Sequence, residues 1–370
     1  MSERVYLAEG GGWVEVHLDP STQHLNAEVE EWEPTPPHMC ARSLAECLGP
    51  ANSYTPAFAL LWKGKRIDER IVLGIERLLH HGVDGRLGRR SLADRLRGVL
   101  AGRSDGIDGE ALLAAAASLA GEALPDAGKL RMKARLIVAK FQADKALSTP
   151  VGMWSETEER QRIFRHDRLL AAPLEPKVAQ LLREALQSSE LSAAYDFLQR
   201  VPERITGPRA RPSLLDAEGA LPPAVFPTSS SPETRLVRAL YGSRPIPDGF
   251  RLVDELMARI LDGRHSTLPK PEDGWYTHQL HALAALFLAE GARLTIGPRY
   301  RKGLESLFKA MFGFTRETHI KQLEAVTVGA ARSITVVVRP ELTVEPLFEL
   351  YRRFGDAYAF LRGGAPRAVR

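Results

Sequence analysis

The hydrophobic period of the sequence changes at the segment "PTPP", which ends at Pro37. Before this segment, apolar and polar residues alternate in "RVYLAE", "WVEVHLD" and "LNAEVEEW", with Gly-Gly-Gly and "DPSTQ" between the runs. A period of two with turn residues at both joints predicts a small antiparallel β meander over residues 1–36. Beyond it, apolar residues recur with the period of about 3.6 that is typical of amphipathic helices. We therefore expect a mostly α fold, a multi-helix body that carries β structure at its start.

The helical part divides at a proline-rich connection. A first helical half spans 37–202, with helices predicted at 68–81, 91–103, 109–122, 129–147, 156–171 and 175–187. Seven prolines from Pro202 to Pro232 predict an irregular connection over 203–232, which is either a domain linker or a strap across one large body. A second helical half spans 233–370, with helices predicted at 232–241, 251–261, 275–290, 299–326 and 344–361 and one late strand, "SITVVV", at 333–338.

Composition narrows the class of partner. The chain has 370 residues, of which 44% are hydrophobic and 26% charged, as in ordinary globular proteins. A formal charge of +4 at this length does not indicate nucleic acid, but it suits a small anionic ligand. The start lacks a signal-peptide h-region and no apolar run approaches the length of a membrane span, so we expect a cytoplasmic protein without a membrane partner.

The densest polar stretch is "FTRETHIKQLE", from Phe314 to Glu324. If 299–326 is one helix, a step of about 100° per residue places polar side chains on the same face as its apolar stripe. These are Thr315, Thr318, His319 and Gln322. The same construction places Lys321 on the wet side, in an i,i+4 pair with Glu317. Because buried polar groups need partners, the inward face predicts either an internal hydrogen-bond network or a cavity that holds water or ligand.

The helix at 275–290 offers a second group of polar residues. Trp275, Tyr276 and Gln279 share one side with its leucines, and we expect them to contribute to ligand binding. His278 and His281 lie on the opposite, alanine-rich side at i,i+3. Imidazoles at that spacing are compatible with a divalent metal ion, with His319 as a third ligand, although hydrogen-bonded histidines at a helix start are the simpler interpretation. No other cofactor is predicted.

The third polar stretch is "GMWSETEERQRIFRHDRLL". Ser155 and Glu158 have the spacing of a capping box, which predicts a helix start at residue 156. Arg160 and Asp167 fall on the apolar face of this helix, while His166 lies away from it. A charge on an apolar face needs a partner or a ligand, so the pattern favours either a buried ion pair or a binding site.

Two of these stretches resemble segments of a bacterial family of unknown function. "STPVGMWSETEERQRIFRHDRLL" resembles that family's "PRGHYT…RYFRAMMW" segment, and "LESLFKAMFGFTRETHIKQ" is similar to its "LASWAELRHDTILYAKQ", in the same order. The match is carried by Glu158, Phe164, Arg316, His319, Lys321 and Gln322. The family's double methionine is absent here, and its members are usually exported. The resemblance implies a mostly helical architecture over 147–361 and no particular reaction.

Two functions remain open on these residues. One is an enzyme that acts on a small polar or anionic molecule in a cleft between helices. In it, His319 is the catalytic acid or base and Asp167 is the catalytic residue that orients a partner, while the ligand is bound by Arg160, Arg316, Gln322, Gln279, Trp275 and Tyr276. The other is a non-catalytic helical protein that binds a peptide or protein partner, which predicts an exposed apolar patch. The sequence indicates no oligomeric state.

Overall fold

The computed structural model describes residues 4–9, 12–19, 24–29, 56–126, 128–216, 219–242, 244–247, 249–288, 298–324 and 347–364. Within the described part of the chain, no helix combines the length and apolar character that crossing a bilayer requires.

The N-terminal meander is confirmed. Strand β1 (Arg4–Glu9) pairs antiparallel with β2 (Gly12–Asp19), and β2 pairs antiparallel with β3 (His24–Val29). The register joins Val5 to Val16 and Val16 to Ala27, so the predicted alternation runs in phase across all three strands. The predicted late strand at 333–338 lies outside the described residues.

The mostly α prediction is also confirmed. The described helices are α1 (Pro56–His81), α2 (Arg89–Leu100), α3 (Ile107–Leu119), α4 (Gly128–Ala143), α5 (Lys145–Ser148), α6 (Glu158–Leu170), α7 (Pro176–Ala185), α8 (Ser189–Thr206), α9 (Pro232–Tyr241), α10 (Leu252–Leu261), α11 (Trp275–Ala284), α12 (Pro298–Thr318) and α13 (Phe348–Gly364). A two-stranded hairpin of β4 (Gly82–Val83) and β5 (Arg86–Leu87) joins α1 to α2.

Several helix boundaries differ from the prediction, and local hydrogen bonds explain two of them. Thr157, and not Ser155, caps α6: its Oγ1 accepts from the backbone N–H of Arg160 at 3.3 Å. Ser155 instead donates to the carbonyl of Gly152 at 2.8 Å, at the end of a 3-10 turn. The segment predicted as one helix at 129–147 forms two helices. The Asp144 carboxylate accepts hydrogen bonds from the backbone N–H groups of Ala146 and Leu147 and so caps the start of α5.

The chain forms two compact units, each built from separate segments. One comprises Met1–Ile67, Ala282–Phe314 and Ala330–Arg352, and the other Asp68–His281, Thr315–Gly329 and Arg353–Arg370. The second unit therefore contains residues of both predicted helical halves and the proline-rich connection. Residues of that connection contribute to a hydrophobic core of this unit: Leu214, Val225 and Phe226 are buried in it, and the Tyr195 hydroxyl of α8 donates to the Val225 carbonyl at 2.6 Å.

The alanine-rich helix α3 is central to the second unit. Ala115 and Ala116 are fully buried, and α3 packs against α2, α4 and α6. Methyl side chains occupy little space, so the backbones of the neighbouring helices can approach α3 closely. A second apolar cluster, which includes Val72, Trp154 and Trp275, lies beside it in the same unit.

Candidate functional site

Four segments of the second unit bring charged side chains into its interior. Helix α1 contributes Glu76, the first residue of α2 is Arg89, α6 contributes Asp167, and the turn after α12 contributes Lys321. All four are at most 5% exposed. We call them the ionic quartet. Charged groups at this depth require mutual pairing, since isolated ions are strongly disfavoured in an apolar interior.

The β4–β5 hairpin places Arg89 opposite α1. Asp84 and Gly85 form its two-residue loop, with φ of 50° and 76°, the left-handed values that an Asp-Gly hairpin turn uses. Gly88 lies so close to the other strand that a Cβ there would stand 2.3 Å from the Gly82 nitrogen. The tight hairpin therefore reverses the chain within a few residues and starts α2 with Arg89 facing inward.

The turn after α12 places Lys321. The helix was expected to run to residue 326, but it ends at Thr318, and residues 319–322 form turns. The expectation that Lys321 lies on the wet side was therefore wrong: its side chain is buried and pairs with Glu76 and Asp167. Two contacts hold the turn. The buried Arg168 donates to the Leu323 carbonyl at 2.9 Å, and the Gln322 carbonyl accepts from the Ser229 N–H at 2.7 Å.

The ionic quartet is a closed set of bonds between two anions and two cations. Arg89 Nη1 donates to Glu76 Oε2 at 2.7 Å and to Asp167 Oδ2 at 2.6 Å. Lys321 Nζ lies 2.5 Å from Glu76 Oε2 and also contacts Asp167 Oδ2. The remaining Glu76 oxygen accepts from Gln322 Nε2 at 2.9 Å. The formal charges of the quartet cancel.

Neighbouring charges decide the ionisation of both acids. Burial alone would raise the pKa of Glu76, but Arg89 and Lys321 outweigh it and hold that pKa below its usual value. Burial would likewise raise the pKa of Asp167, yet Lys321 and Arg89, with the histidines that contact the carboxylate, hold it well below its usual value. Burial lowers the pKa of Arg168 to about 10, with Asp144 and Glu324 opposing it. Both quartet acids are therefore carboxylates at neutral pH.

Two histidines complete the surroundings of Asp167. His166 Nδ1 lies 2.8 Å from Asp167 Oδ1, and because a carboxylate only accepts, His166 carries its proton on Nδ1. His80 Nδ1 lies 3.4 Å from the same oxygen without the alignment of a hydrogen bond. Burial lowers the pKa of His80, and the Asp167 carboxylate offsets only part of this decrease. His80 Nδ1 and His166 Nε2 are buried and make no hydrogen bond.

These three side chains form a group of metal-ligating type. One ligand atom from each of His80, His166 and Asp167 lies within 4.8 Å of the other two. All three residues are buried, and the two imidazole rings meet edge to face with centroids 4.9 Å apart. The group could hold a metal ion. We call it the His-His-Asp cluster.

A second polar network surrounds His319. Tyr358 donates to Asp68 Oδ1 at 2.6 Å, and Gln279 Nε2 donates to Asp68 Oδ2 at 2.8 Å. The amide oxygen of Gln279 therefore faces His319 Nε2, 2.9 Å away, and accepts a hydrogen bond from its N–H. The rings of Trp275 and Tyr276 pack edge to face against the imidazole, with centroids 5.6 Å and 5.4 Å away. The relay fixes both the ring orientation and the tautomer of His319.

A third buried group ties α9 to the end of α12. Tyr276 donates to Glu233 Oε1 at 2.8 Å, and Arg316 Nη1 contacts the same oxygen. Burial and the Glu233 charge raise the pKa of the Tyr276 phenol well above its usual value. Burial would lower the pKa of Arg316, but Glu233 and Tyr276 raise it. Arg316, predicted to bind an anionic ligand, thus has an internal carboxylate as its partner.

The predicted inward face is confirmed. Thr315, Thr318, His319 and Gln322 are all at most 8% exposed, and His319 is fully buried. The described contacts of His319 and Gln322 belong to internal hydrogen-bond networks, the first of the two arrangements that the sequence allowed. Arg160, predicted to bind the ligand, forms an ion pair with Glu156 and donates to the Met153 carbonyl at 3.2 Å.

The predicted histidine trio does not form a ligand group among the described residues. His278 stacks on Phe360 with centroids 4.0 Å apart, and His281 Nδ1 lies 3.1 Å from the Thr267 hydroxyl. His319 is bound to Gln279, as above. The group of described residues that could hold a metal ion lies elsewhere, around Asp167.

Sequence reasoning missed Glu76, His80, Arg89 and His166. Glu76 and His80 lie at i,i+4 on α1, on the same buried face as Val72, and this polar interruption of an apolar face was the available signal. His166 was expected to lie away from the apolar face of α6 but is 1% exposed, because α6 is packed on more than one side.

Comparison with known proteins adds no relative: no family model, curated protein or solved structure matches this chain.

Proposed function

We propose that the protein binds a divalent transition metal ion, of the zinc class, through His80, His166 and Asp167. The observation that carries the proposal is His80 Nδ1, which is buried without a hydrogen bond beside the Asp167 carboxylate, where a second imidazole contacts the same oxygen. Imidazole and carboxylate are the ligand types that zinc takes in proteins. A metal ion would satisfy His80 Nδ1, which otherwise remains buried at a cost of about 1–3 kcal/mol.

The spacing of the ligand atoms supports this proposal. Two ligands on a tetrahedral ion with bonds of about 2.1 Å are about 3.4 Å apart. His80 Nδ1 and Asp167 Oδ1 lie 3.4 Å apart. His166 would ligate after giving up its hydrogen bond to Asp167. The other oxygen of Asp167 stays with Arg89 and Lys321, which orient the carboxylate from outside the cluster as hydrogen-bonded partners do in many metal sites.

Charge balance indicates the nature of the fourth ligand. The ionic quartet is neutral as it stands, so a divalent ion with two neutral imidazoles would add two positive charges to a dry interior. An anion at the open fourth position, either hydroxide or a small carboxylate or phosphate, would reduce that charge. Three protein ligands with one open position are the arrangement of catalytic zinc sites. The proposed function is therefore metal-dependent binding of a small anionic molecule and catalysis of a reaction of that molecule.

The test of the metal site is to add Zn²⁺ or Co²⁺ to chelator-treated protein. Calorimetry measures the binding of both ions, and the visible spectrum reports the coordination of the cobalt form. We expect one ion per chain and a tetrahedral cobalt spectrum. His80→Ala and His166→Ala should each weaken binding about a hundredfold or more. His278→Ala, which removes a half-buried histidine outside the cluster, is the matched control and should bind as the wild type does. Equal binding by all four proteins would overturn the proposal.

A second candidate function is proton transfer by His319. It is favoured by the relay from Asp68 through Gln279, which orients the ring and fixes its tautomer as a carboxylate-bound histidine is fixed in known acid–base sites. The test is hydrolysis of p-nitrophenyl acetate and p-nitrophenyl phosphate with and without Zn²⁺. Loss of turnover in His319→Gln with zinc binding retained would support the role, and unchanged turnover would remove it.

A further inference from the structure

Helix α4 has two apolar faces, and one of them is exposed. Ala134 and Phe141 on the inner face are buried against the core that contains α3. On the outer face, Met132 and Leu136 are 67% and 71% exposed. They lie one turn apart on the same side of the helix, and the exposed Ala139 and Ala143 extend the strip towards its C-terminus. Large apolar side chains arranged in a row on an exposed helix mark an interaction surface more strongly than scattered ones.

The charged residues that border the outer face of α4 are all cations. The helix carries Lys129, Arg131, Lys133, Arg135 and Lys140, and it contains no Asp or Glu. A step of about 100° per residue places Lys129 and Lys140 along one border of the strip, and Arg131 and Arg135 along the other. Lys133 points inward enough to pair with Asp108 of α3. Four cations therefore surround an apolar strip without a counter-charge from their own helix.

The chemistry of the partner follows from this arrangement. An apolar strip between two basic borders matches a helix that has an apolar stripe and Asp or Glu on both sides of it. A bilayer surface is a poorer match. Only two large apolar side chains stand on the strip, and α4 carries no exposed Trp or Tyr of the kind that anchors interfacial helices. From Lys129 to Ala143 the strip is about 21 Å long, enough for some three to four turns of a partner helix.

We propose that the outer face of α4 docks an acidic amphipathic helix of a partner protein, with Met132 and Leu136 as the apolar anchors and Lys129, Arg131, Arg135 and Lys140 as the charged borders. This interaction is separate from the His-His-Asp cluster and does not depend on a metal ion. It extends the peptide-binding alternative that the sequence left open by assigning it a surface and a ligand charge.

The probe is a fluorescently labelled helical peptide of about 18 residues with leucines at i, i+3 and i+4 and glutamates elsewhere. Its counterpart has lysine in place of each glutamate. We expect saturable anisotropy with the acidic peptide, none with the basic one, and weaker binding as NaCl rises from about 0.05 to 0.5 M. Chelator-treated protein should bind the acidic peptide equally well.

Three variants locate the site. Met132→Ser/Leu136→Ser and Arg135→Glu/Lys140→Glu should each weaken binding about tenfold or more. Leu268→Ser, at a side chain that is also 67% exposed but lies outside α4, should not change it. All substituted side chains are exposed, and thermal melts will establish that each variant is folded. Absence of saturable binding to the acidic peptide, or equal binding by both peptides, would overturn the proposal.

Vesicles of phosphatidylcholine with about one-third phosphatidylserine test the other anionic surface. The proposal would be overturned in favour of a lipid surface by a combination of three results. The wild type sediments with these vesicles, the Met132→Ser/Leu136→Ser variant does not, and the wild type does not bind the acidic peptide.

Discussion

Gln322 donates from its side-chain nitrogen to Glu76 Oε1 over 2.9 Å, although 246 residues separate the two in the sequence. The preceding residue, Lys321, lies 2.5 Å from the other oxygen of the same carboxylate. Two consecutive residues of one turn thus satisfy both oxygens of a buried glutamate. The end of α12 and the middle of α1 are therefore held together by charge as well as by packing.

Removal of one cation from the ionic quartet should be strongly destabilising. Lys321→Met leaves two buried carboxylates with Arg89 as their shared cation, and breaking a buried pair in this way typically costs about 3–5 kcal/mol. We expect a loss of this size in the free energy of unfolding, measured by urea denaturation. Lys145→Met, at an exposed position, is the control and should change it by less than about 0.5 kcal/mol.

The double variant Glu76→Gln/Lys321→Met separates charge from packing. It restores a neutral interior, so it should recover at least about half of the stability that Lys321→Met loses. If the double variant is as unstable as the single one, lost packing and not uncompensated charge explains the effect.

Stability of the metal-free protein should fall in acid for a defined reason. The pKa values of Glu76 and Asp167 are lower in the folded chain than their ordinary values of 4.5 and 3.8. The folded state then binds fewer protons than the unfolded state, so their stabilisation is complete above these values and is lost as the pH falls below them. Urea denaturation between about pH 6 and pH 3 should show a steeper decline for the wild type than for Glu76→Gln/Lys321→Met. Parallel curves would contradict this origin.

His319 should be a single tautomer. Gln279 directs its amide nitrogen to Asp68, so its oxygen accepts from His319 Nε2 and the neutral ring carries its proton there. Nitrogen-15 NMR of the imidazoles should show a protonated Nε2 for His319 and a protonated Nδ1 for His166, which donates to Asp167. In Gln279→Leu the His319 signals should move towards the mixture seen in free histidine. Unchanged signals would show that another contact sets the tautomer.

The start of α11 depends on a close backbone contact. A Cβ at Gly274 would stand 2.2 Å from the Gly207 nitrogen, and the backbone of Thr206 is also within 3 Å, so no side chain can yield. Gly274→Ala should therefore destabilise by about 2 kcal/mol or more, in a thermal or urea melt. Gly98→Ala is the matched control. It lies on an exposed helical position with nothing within 4 Å of a new Cβ, and should stabilise by about 1 kcal/mol. Equal effects of the two substitutions would contradict the contact.

Periodicity alone gave the fold class and the N-terminal meander, because both depend on which face of each element is apolar. It also placed Thr315, Thr318, His319 and Gln322 inward. The construction failed at Lys321 because it assumed one straight helix, whereas the N–H groups of Gln322 and Leu323 bond to the His319 carbonyl and turn the chain. Three residues past the end of α12, a helical projection no longer describes where a side chain lies.

The pairing of the four residues of the ionic quartet could not be predicted from the residue patterns of single helices. Its members come from α1, the start of α2, α6 and the turn after α12, and no local pattern pairs a glutamate with a lysine that far away in sequence. The assigned roles of Asp167, His319, Arg316 and the other candidate ligands stay predictions. Their positions show, however, that Arg316 and Asp167 already hold internal partners of opposite charge.

The order in which the ribosome synthesises this chain determines when the ionic quartet can form. Glu76, Arg89 and Asp167 are synthesised well before Lys321, so the emerging polypeptide carries two acids for one guanidinium until its late portion arrives. Closing that interior early would trap an unbalanced negative charge. The native arrangement can thus be completed only once synthesis has passed Lys321, and interrupted translation products that stop short of it should remain unfinished and open to proteolysis.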